Sequence, residues 1–373
     1  VPTPARTLIR GIRVFDGDRV LERADVLVEG DRIAAHDPAR PVDVEIDGTG
    51  RTLLPGLIDA HTHTFDGSLA AALRHGVTTE LDMFCLPANL RRQRALAAER
   101  DDVADLRSSG VLATAPGGHP SPLMALMADA FGDAVGPFDT ISRPEEAADF
   151  VAARLREGSD YLKIVIDDGS TAGARLPALG ARTAAALVTA ARDAGLRTIA
   201  HAATATEAAT ALTAGVDGLA HAWWAGGPGA PPTEELAAQA ADQGVFVVST
   251  LTYAEASGAG RPDRAEYATH VVAALAAAGT PLLAGTDATP FAPLHGEAMH
   301  RELELLTSAG LTPTQALHAA TSATARHFGL HDRGRIAPGL RADLLLVEGD
   351  PTRDITAIGD ITDVWRRGVR QVR

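Results

Sequence analysis

The sequence predicts an α/β protein: a (β/α)8 TIM barrel that carries a small β-sandwich domain formed by both termini. Three observations predict it. At 373 residues the chain has the length of a large α/β barrel with an appendage. Helix-like, alanine-rich stretches alternate with short apolar runs, eight of them in all. The two ends alternate apolar and polar residues instead, as half-buried strands do.

In chain order, residues 1–52 come first. "TLIRGIRVFDG", "ADVLVEGDRIAAHD" and "VDVEIDGTG" read as strands, and their Asp-Gly steps are turn signals. The run "LLPGLIDAHTH" is the first barrel strand. Seven junctions follow, each a glycine before an apolar run: Gly76 before "VTTELDM", Gly110 before "VLATAP", Gly158 before "DYLKIVI", Gly195 before "LRTIAHA", Gly215 before "VDGLAHAW", Gly244 before "VFVVSTL" and Gly279 before "TPLLAGTD". Glycine just past a helix adopts the left-handed conformation that ends it. The runs have the length and β-branched content of buried parallel strands. A doubly wound open sheet is the alternative, but it has fewer strands and leaves the chain ends unexplained. Residues 331–373 return to alternation in "GRIAPGLRADLLLVEGD" and "DVWRRGVRQVR". The domain expectation is therefore a composite β-sandwich of 1–52 and 331–373 around a barrel of 53–330, since chain ends commonly lie close together.

Composition narrows the function. A net charge of −14 argues against nucleic acid and anionic membrane surfaces as partners. No apolar run approaches the ~18 residues of a membrane span. The opening "VPTPARTLIRG" has no signal-peptide core, and the single cysteine, Cys85, excludes an intrachain disulfide, so the expected location is cytoplasmic. The expected partner is a small-molecule substrate, and the expected assembly a homo-oligomer.

Active sites of barrels lie at the C-terminal ends of the strands. His61 and His63 end the first strand, and residues i and i+2 on a strand share a face. Lys163 lies on the fourth, His201 ends the fifth, His221 the sixth and Asp287 the eighth. Several imidazoles and a carboxylate at one rim suit Zn²⁺ or a similar divalent ion. Lys163 stands out for another reason. It is the sole lysine among 34 basic side chains, the rest being arginine.

The order of "LLPGLIDAHTH", "TIAHA", "GLAHA" and "GTDA", and the tail "GLTPTQALHAATSATARHFGLHDRGRIAPGLRADLLLVEGDPTRDI", resemble the metal-dependent amidohydrolase superfamily, in its imidazolonepropionase-like and dipeptidase-like branch. The resemblance covers nearly the whole chain and implies a barrel with a small sheet domain and a metal site, often of two ions. It implies that His61, His63 and Asp287 hold one ion and His201 and His221 the other. Lys163, carboxylated by CO₂, and a hydroxide would bridge them. Lysine alone suits that role, because its neutral amine attacks CO₂ whereas arginine stays charged. Asp287 would also act as general base and acid. The branch carries "GGH" after the third strand; here "APGGHPSP" makes His119 a group that meets the substrate carbonyl or carboxylate.

Six of the 15 aromatic residues, Phe65, Phe84, Trp223, Trp224, Tyr253 and Phe291, fall within a few residues of strand C-termini, which favours an aryl or heteroaryl substrate. His295, in "PFAPLHGEAMH", is a further pocket candidate. The leading expectation is a metal-dependent hydrolase of an amide, ester or cyclic amide. A dehydrative cyclase of an aryl amide or ester is the nearest rival. A one-metal deaminase lacks the bridging lysine and places a glutamate right after the fifth-strand histidine, whereas the next acid here is Glu207. A non-catalytic metal-binding module would be expected to have lost ligands.

Overall fold

The computed structural model describes residues 5–227, 229–257 and 263–371. Among them, eight parallel strands form the centre. Leu57–Thr62, Val77–Asp82 and Asp105–Ser108 make a sheet of three; Leu162–Val165, Thr198–His201, Gly218–Leu219, Phe246–Val248 and Leu282–Leu283 make a sheet of five. The first strand, the fourth and the fifth are buried at every position, as expected of strands covered on both faces. Hydrogen bonds join the two sheets at both edges. On one side the Ala113 amide donates to Lys163 O at 2.8 Å and Val165 N to Ala113 O at 2.9 Å; on the other, Ala60 N donates to Ala284 O at 3.0 Å and Asp287 N to His61 O at 2.8 Å.

Helices alternate with these strands and pack their alanine-rich faces on them. The helix Ala147–Glu157 ends at Gly158, which at φ +91° donates its amide back to the last turn and lets the chain drop into the strand carrying Lys163. Gly285 serves a different purpose: a Cβ there would meet the His61 amide at 2.8 Å and a Val248 methyl at 2.4 Å. Only glycine lets the last strand come close enough to aim Asp287 at the two histidines of the first.

Two expectations need correction. The third strand lies at Asp105–Ser108, before Gly110 and not after it; "VLATAP" contributes a single bridge, Ala113 to Ile164. The sequence "DLRS" has a single apolar residue, so it lacks the continuous apolar run that marks the other strands, although its burial alternates. The terminal strands, for their part, are hydrogen-bonded as one mixed, branched eight-stranded sheet. Arg51–Pro55 belongs to that sheet, parallel to Arg6–Phe15 and antiparallel to Leu344–Glu348, so a boundary at 52/53 cuts through a strand. The run "RTLLPGLIDAHTH" is in fact two strands in two sheets, with Gly56 between them. Residues 1–4 and 372–373 lie outside the described residues.

An aspartate ties the two parts together. Asp105, on the third strand, faces Arg333, Arg341 at 2.9 Å and Arg366 at 3.5 Å, all from the C-terminal segment. Among the described residues no helix is long and apolar enough to cross a membrane.

Candidate metal centre

His61 and His63 project from the end of the first strand to one carboxylate. Asp287 Oδ1 lies 3.2 Å from His61 Nε2 and 3.0 Å from His63 Nε2. Asp287 achieves this in a left-handed backbone conformation, φ +56°, which is uncommon for a residue with a Cβ and concentrates at functional sites. Its main chain is pinned by donation to His61 O. Opposite, His201 Nδ1 and His221 Nε2 face each other at 2.8 Å. Lys163 is buried, 2% exposed, and lines the same cavity as both groups. Burial pulls its amine down to about 7, against the pull of the Asp287 and Asp82 charges. An amine so placed is neutral often enough to react with an electrophile at ordinary pH.

The imidazoles are held as ligands need to be. His61 donates Nδ1–H to Ala220 O at 3.0 Å, which leaves Nε2 for the site. His221 Nδ1 pairs with Thr250 Oγ1 at 3.0 Å, which likewise leaves Nε2. Thr250 is itself left-handed, at φ +45°. The fully buried Glu302 fixes the turn after it, accepting from Leu251 N, Thr252 N and the Thr252 and Ser249 hydroxyls. Burial lowers His61 to about 4 and His221 further from its ordinary value, so both rings stay neutral, the form that binds metal. Asp287 is held well below the usual carboxylate range: burial raises it, but the His61 and His63 rings, 3.2 and 3.0 Å from its Oδ1, outweigh that. Six side chains from five strand ends thus line one cavity. This donor set fits divalent cations. His61, His63 and Asp287 meet ligand spacing directly, all their donor atoms lying within 4.8 Å of one another.

In front of these groups is a cavity of about 290 Å³, with an apolar wall. Phe65, Phe84, His119, Tyr253 and Phe291 line it, as do Met83, Leu112, Met124 and Met127. Phe131 packs edge-on against both Phe65 (5.0 Å) and Phe291 (5.4 Å), closing one side. His119 stacks on His201 at 5.0 Å, and burial lowers it to about 4.

Three expected pocket residues sit elsewhere. Trp223 is fully buried in the apolar core behind the strands. Trp224 packs edge-on against the rings of His221 (5.2 Å) and His201 (6.2 Å) and does not line the cavity; it buttresses the imidazoles. The strand ends at Leu219, so the alternation of sides cannot be counted through to residues 223 and 224. His295 is buried under the site, with Nδ1 on Glu80 Oε1 at 2.7 Å and Nε2 donating to His63 O at 3.1 Å. Burial opposes charge on the ring, but the adjacent Glu80 outweighs it and raises the pKa of His295. The ring braces the His63 backbone. Cys85 is buried, and burial pushes its thiol up, away from nucleophile chemistry. Glu207 caps the helix Ala205–Ala214, accepting from Ala203 N and Thr204 N.

Sequence reasoning passed over Asp167, Thr250, Glu80 and Glu302. Only Asp167 left a signal, as an acid just beyond the lysine strand in "KIVIDDGS".

Comparisons with known proteins agree with this geometry. The model of the amidohydrolase family matches residues 52–370. The chain is 25% identical to an imidazolonepropionase of Streptomyces griseus over 95% of its own length and 93% of the relative's. It is 37% identical to an imidazolonepropionase of Deinococcus deserti, but over 25% of this chain and only 24% of that protein's length. Its fold is similar to the crystal structure of a Xaa-Pro dipeptidase with bound methionine in the active site, at TM-score 0.82 and 21% identity, covering 98% of this chain and 100% of the other.

Proposed function

Because the chain belongs to the amidohydrolase family, we propose that it is a two-ion hydrolase that cleaves an amide, ester or cyclic amide bond in a small aryl or heteroaryl substrate. One observation carries the reading: the sole lysine is buried, with its amine near neutrality, in the cavity that two sets of candidate ligands line. In this reading His61, His63 and Asp287 hold one ion, His201 and His221 the other, and Lys163, carboxylated by CO₂, lies between them. Zn²⁺ suits the nitrogen-rich donor set. Divalent ions bound there would supply hydroxide at neutral pH and would polarise the scissile carbonyl.

The chain's own groups do the rest. The Asp287 carboxylate, unprotonated at working pH, takes the proton of the attacking water at one of its oxygens and delivers it to the leaving nitrogen or oxygen. His119, neutral and at the cavity wall, orients the substrate carbonyl or a carboxylate beside it. Phe65, Phe84, Tyr253 and Phe291 hold a flat group and keep water from it. The hydrogen bonds that join the two parallel sheets support one closed eight-stranded (β/α)8 barrel, with the terminal sheet as its appended domain.

The test is metal content and product analysis together. Protein purified without chelator and with bicarbonate present is expected to hold two ions per chain, and Lys163→Arg fewer, with its fold intact. An aryl amide is expected to gain water; loss of water would instead identify ring closure. Two ions and full activity in Lys163→Arg would remove the lysine bridge, and an ion-free wild type would remove the whole reading.

A further inference from the structure

Asp167 lies four residues beyond Lys163 and is 6% exposed. Its Oδ1 accepts the Gly169 amide at 2.8 Å, a local turn that fixes the carboxylate. Its Oδ2 is 3.3 Å from His201 Nε2 and 3.7 Å from His119 Nδ1. His201 thereby differs from the other two buried rings. His61 and His221 pair through Nδ1 with neutral oxygens, a carbonyl and a hydroxyl, and present Nε2 to the site. His201 is turned the other way: Nε2 points out to an anion, and Nδ1 points in, toward His221 Nε2.

A neutral imidazole carries one proton, and the nitrogen without it is the ligand. We propose that Asp167 is a positioning residue that selects the ligating nitrogen of His201: its carboxylate holds the proton on Nε2 and leaves the Nδ1 lone pair for the second ion. An anionic outer partner also makes the ring a stronger donor than a neutral one does. The same three side chains, His119, Asp167 and His201, have the spacing to hold a cation of their own. That arrangement would engage His201 through Nε2, and the ring would then face His221 with a protonated nitrogen, so the two readings exclude each other. The inference rests on the two-ion reading above.

The test titrates chelator-stripped protein with Co²⁺ in bicarbonate buffer, counting ions by equilibrium dialysis and following the visible spectrum. Wild type is expected to bind two ions. Asp167→Asn is expected to bind the first unchanged and the second about 10–100-fold more weakly, with the spectrum of the second ion altered. His119→Ala is expected to keep both affinities. Asp167→Ser keeps an acceptor for the Gly169 amide without the charge and serves where the Asn variant fails to fold. Two ions in wild type and unchanged affinities in the Asp167 variants would overturn this inference alone, as would equal weakening of both ions, which marks general loosening. Loss of an ion in His119→Ala would place a cation among the three side chains and overturn it too. Fewer than two ions in wild type would overturn the two-ion reading and this inference with it.

Discussion

In the metal-free, CO₂-free protein, Lys163 should be a liability. Burial lowers its pKa from 10.5 to about 7, so the folded state disfavours the ammonium that the unfolded chain carries freely. Below pH 7 both states hold the proton and the penalty is complete. Between pH 7 and 10.5 it falls as the unfolded chain alone keeps the proton, and above 10.5 it is gone. At about 1.4 kcal/mol per pH unit across that window, the full penalty approaches about 5 kcal/mol. Lys163→Met replaces the amine with an apolar chain of similar length and removes it. The variant should therefore unfold at higher urea than wild type at pH 6, by up to about that amount, and the advantage should shrink steadily toward pH 10.5. Adding Zn²⁺ and bicarbonate should invert the order, because only wild type then gains the binding energy of both ions. The measurement is a set of urea unfolding curves for the two proteins from pH 6 to 10.5, with and without the ions. A metal-free wild type as stable as Lys163→Met at pH 6, or a gap that widens with pH, would refute the reasoning.

Asp105→Asn should cost up to about 3–5 kcal/mol, because it leaves the buried guanidinium of Arg366 without its anion and takes one from Arg333 and Arg341, which keep Asp332 and Asp343. Burial raises the Asp105 carboxyl, yet the three arginines hold it well below its ordinary range, so wild type should lose this contribution as pH falls below about 4 while the variant shows no such step in acid unfolding. Phe291, the exposed aromatic at the cavity rim, should act on binding: Phe291→Ala should raise KM for an aryl substrate several-fold with kcat little changed, and an unchanged KM would remove it from the substrate path.

That the six candidate ligands would meet at one cavity was legible because they sit on or beside regular strands. "HTH" places two rings on one face whatever the rest of the chain does, and the glycine-led apolar runs locate the other strand ends. Legibility stopped where the strands stop. Trp223 and Trp224 follow a strand of two residues, so their side could not be counted, and one went to the core while the other went behind the imidazoles. His295 looked like a pocket residue because its partner, Glu80, is 215 residues away and nothing local announces an ion pair. The third strand hid in "DLRS" because it lacks an apolar run. The left-handed conformations of Thr250 and Asp287 are backbone facts that the identity of a threonine or an aspartate does not disclose.

The placing of acids around the centre follows an electrostatic logic. In the proposed two-ion reading the first ligand set would contain its own anion, Asp287, whereas the second, His201 and His221, would be neutral apart from the lysine carboxylate. Two divalent cations in a buried site need more negative charge than those groups provide, and the cost of crowding cations rises as water is excluded. Asp167 would add an anion on the side that lacks one, one imidazole away from the proposed second ion. From there it would compensate charge without taking a coordination position that a substrate oxygen must occupy. Asp82 lies comparably beneath the other half: fully buried, it accepts from Thr64 N at 2.8 Å, and burial raises its pKa while the nearby His63 opposes that rise. In the proposed reading each half of the centre would thus have an unligated carboxylate behind it while the cavity side stays open.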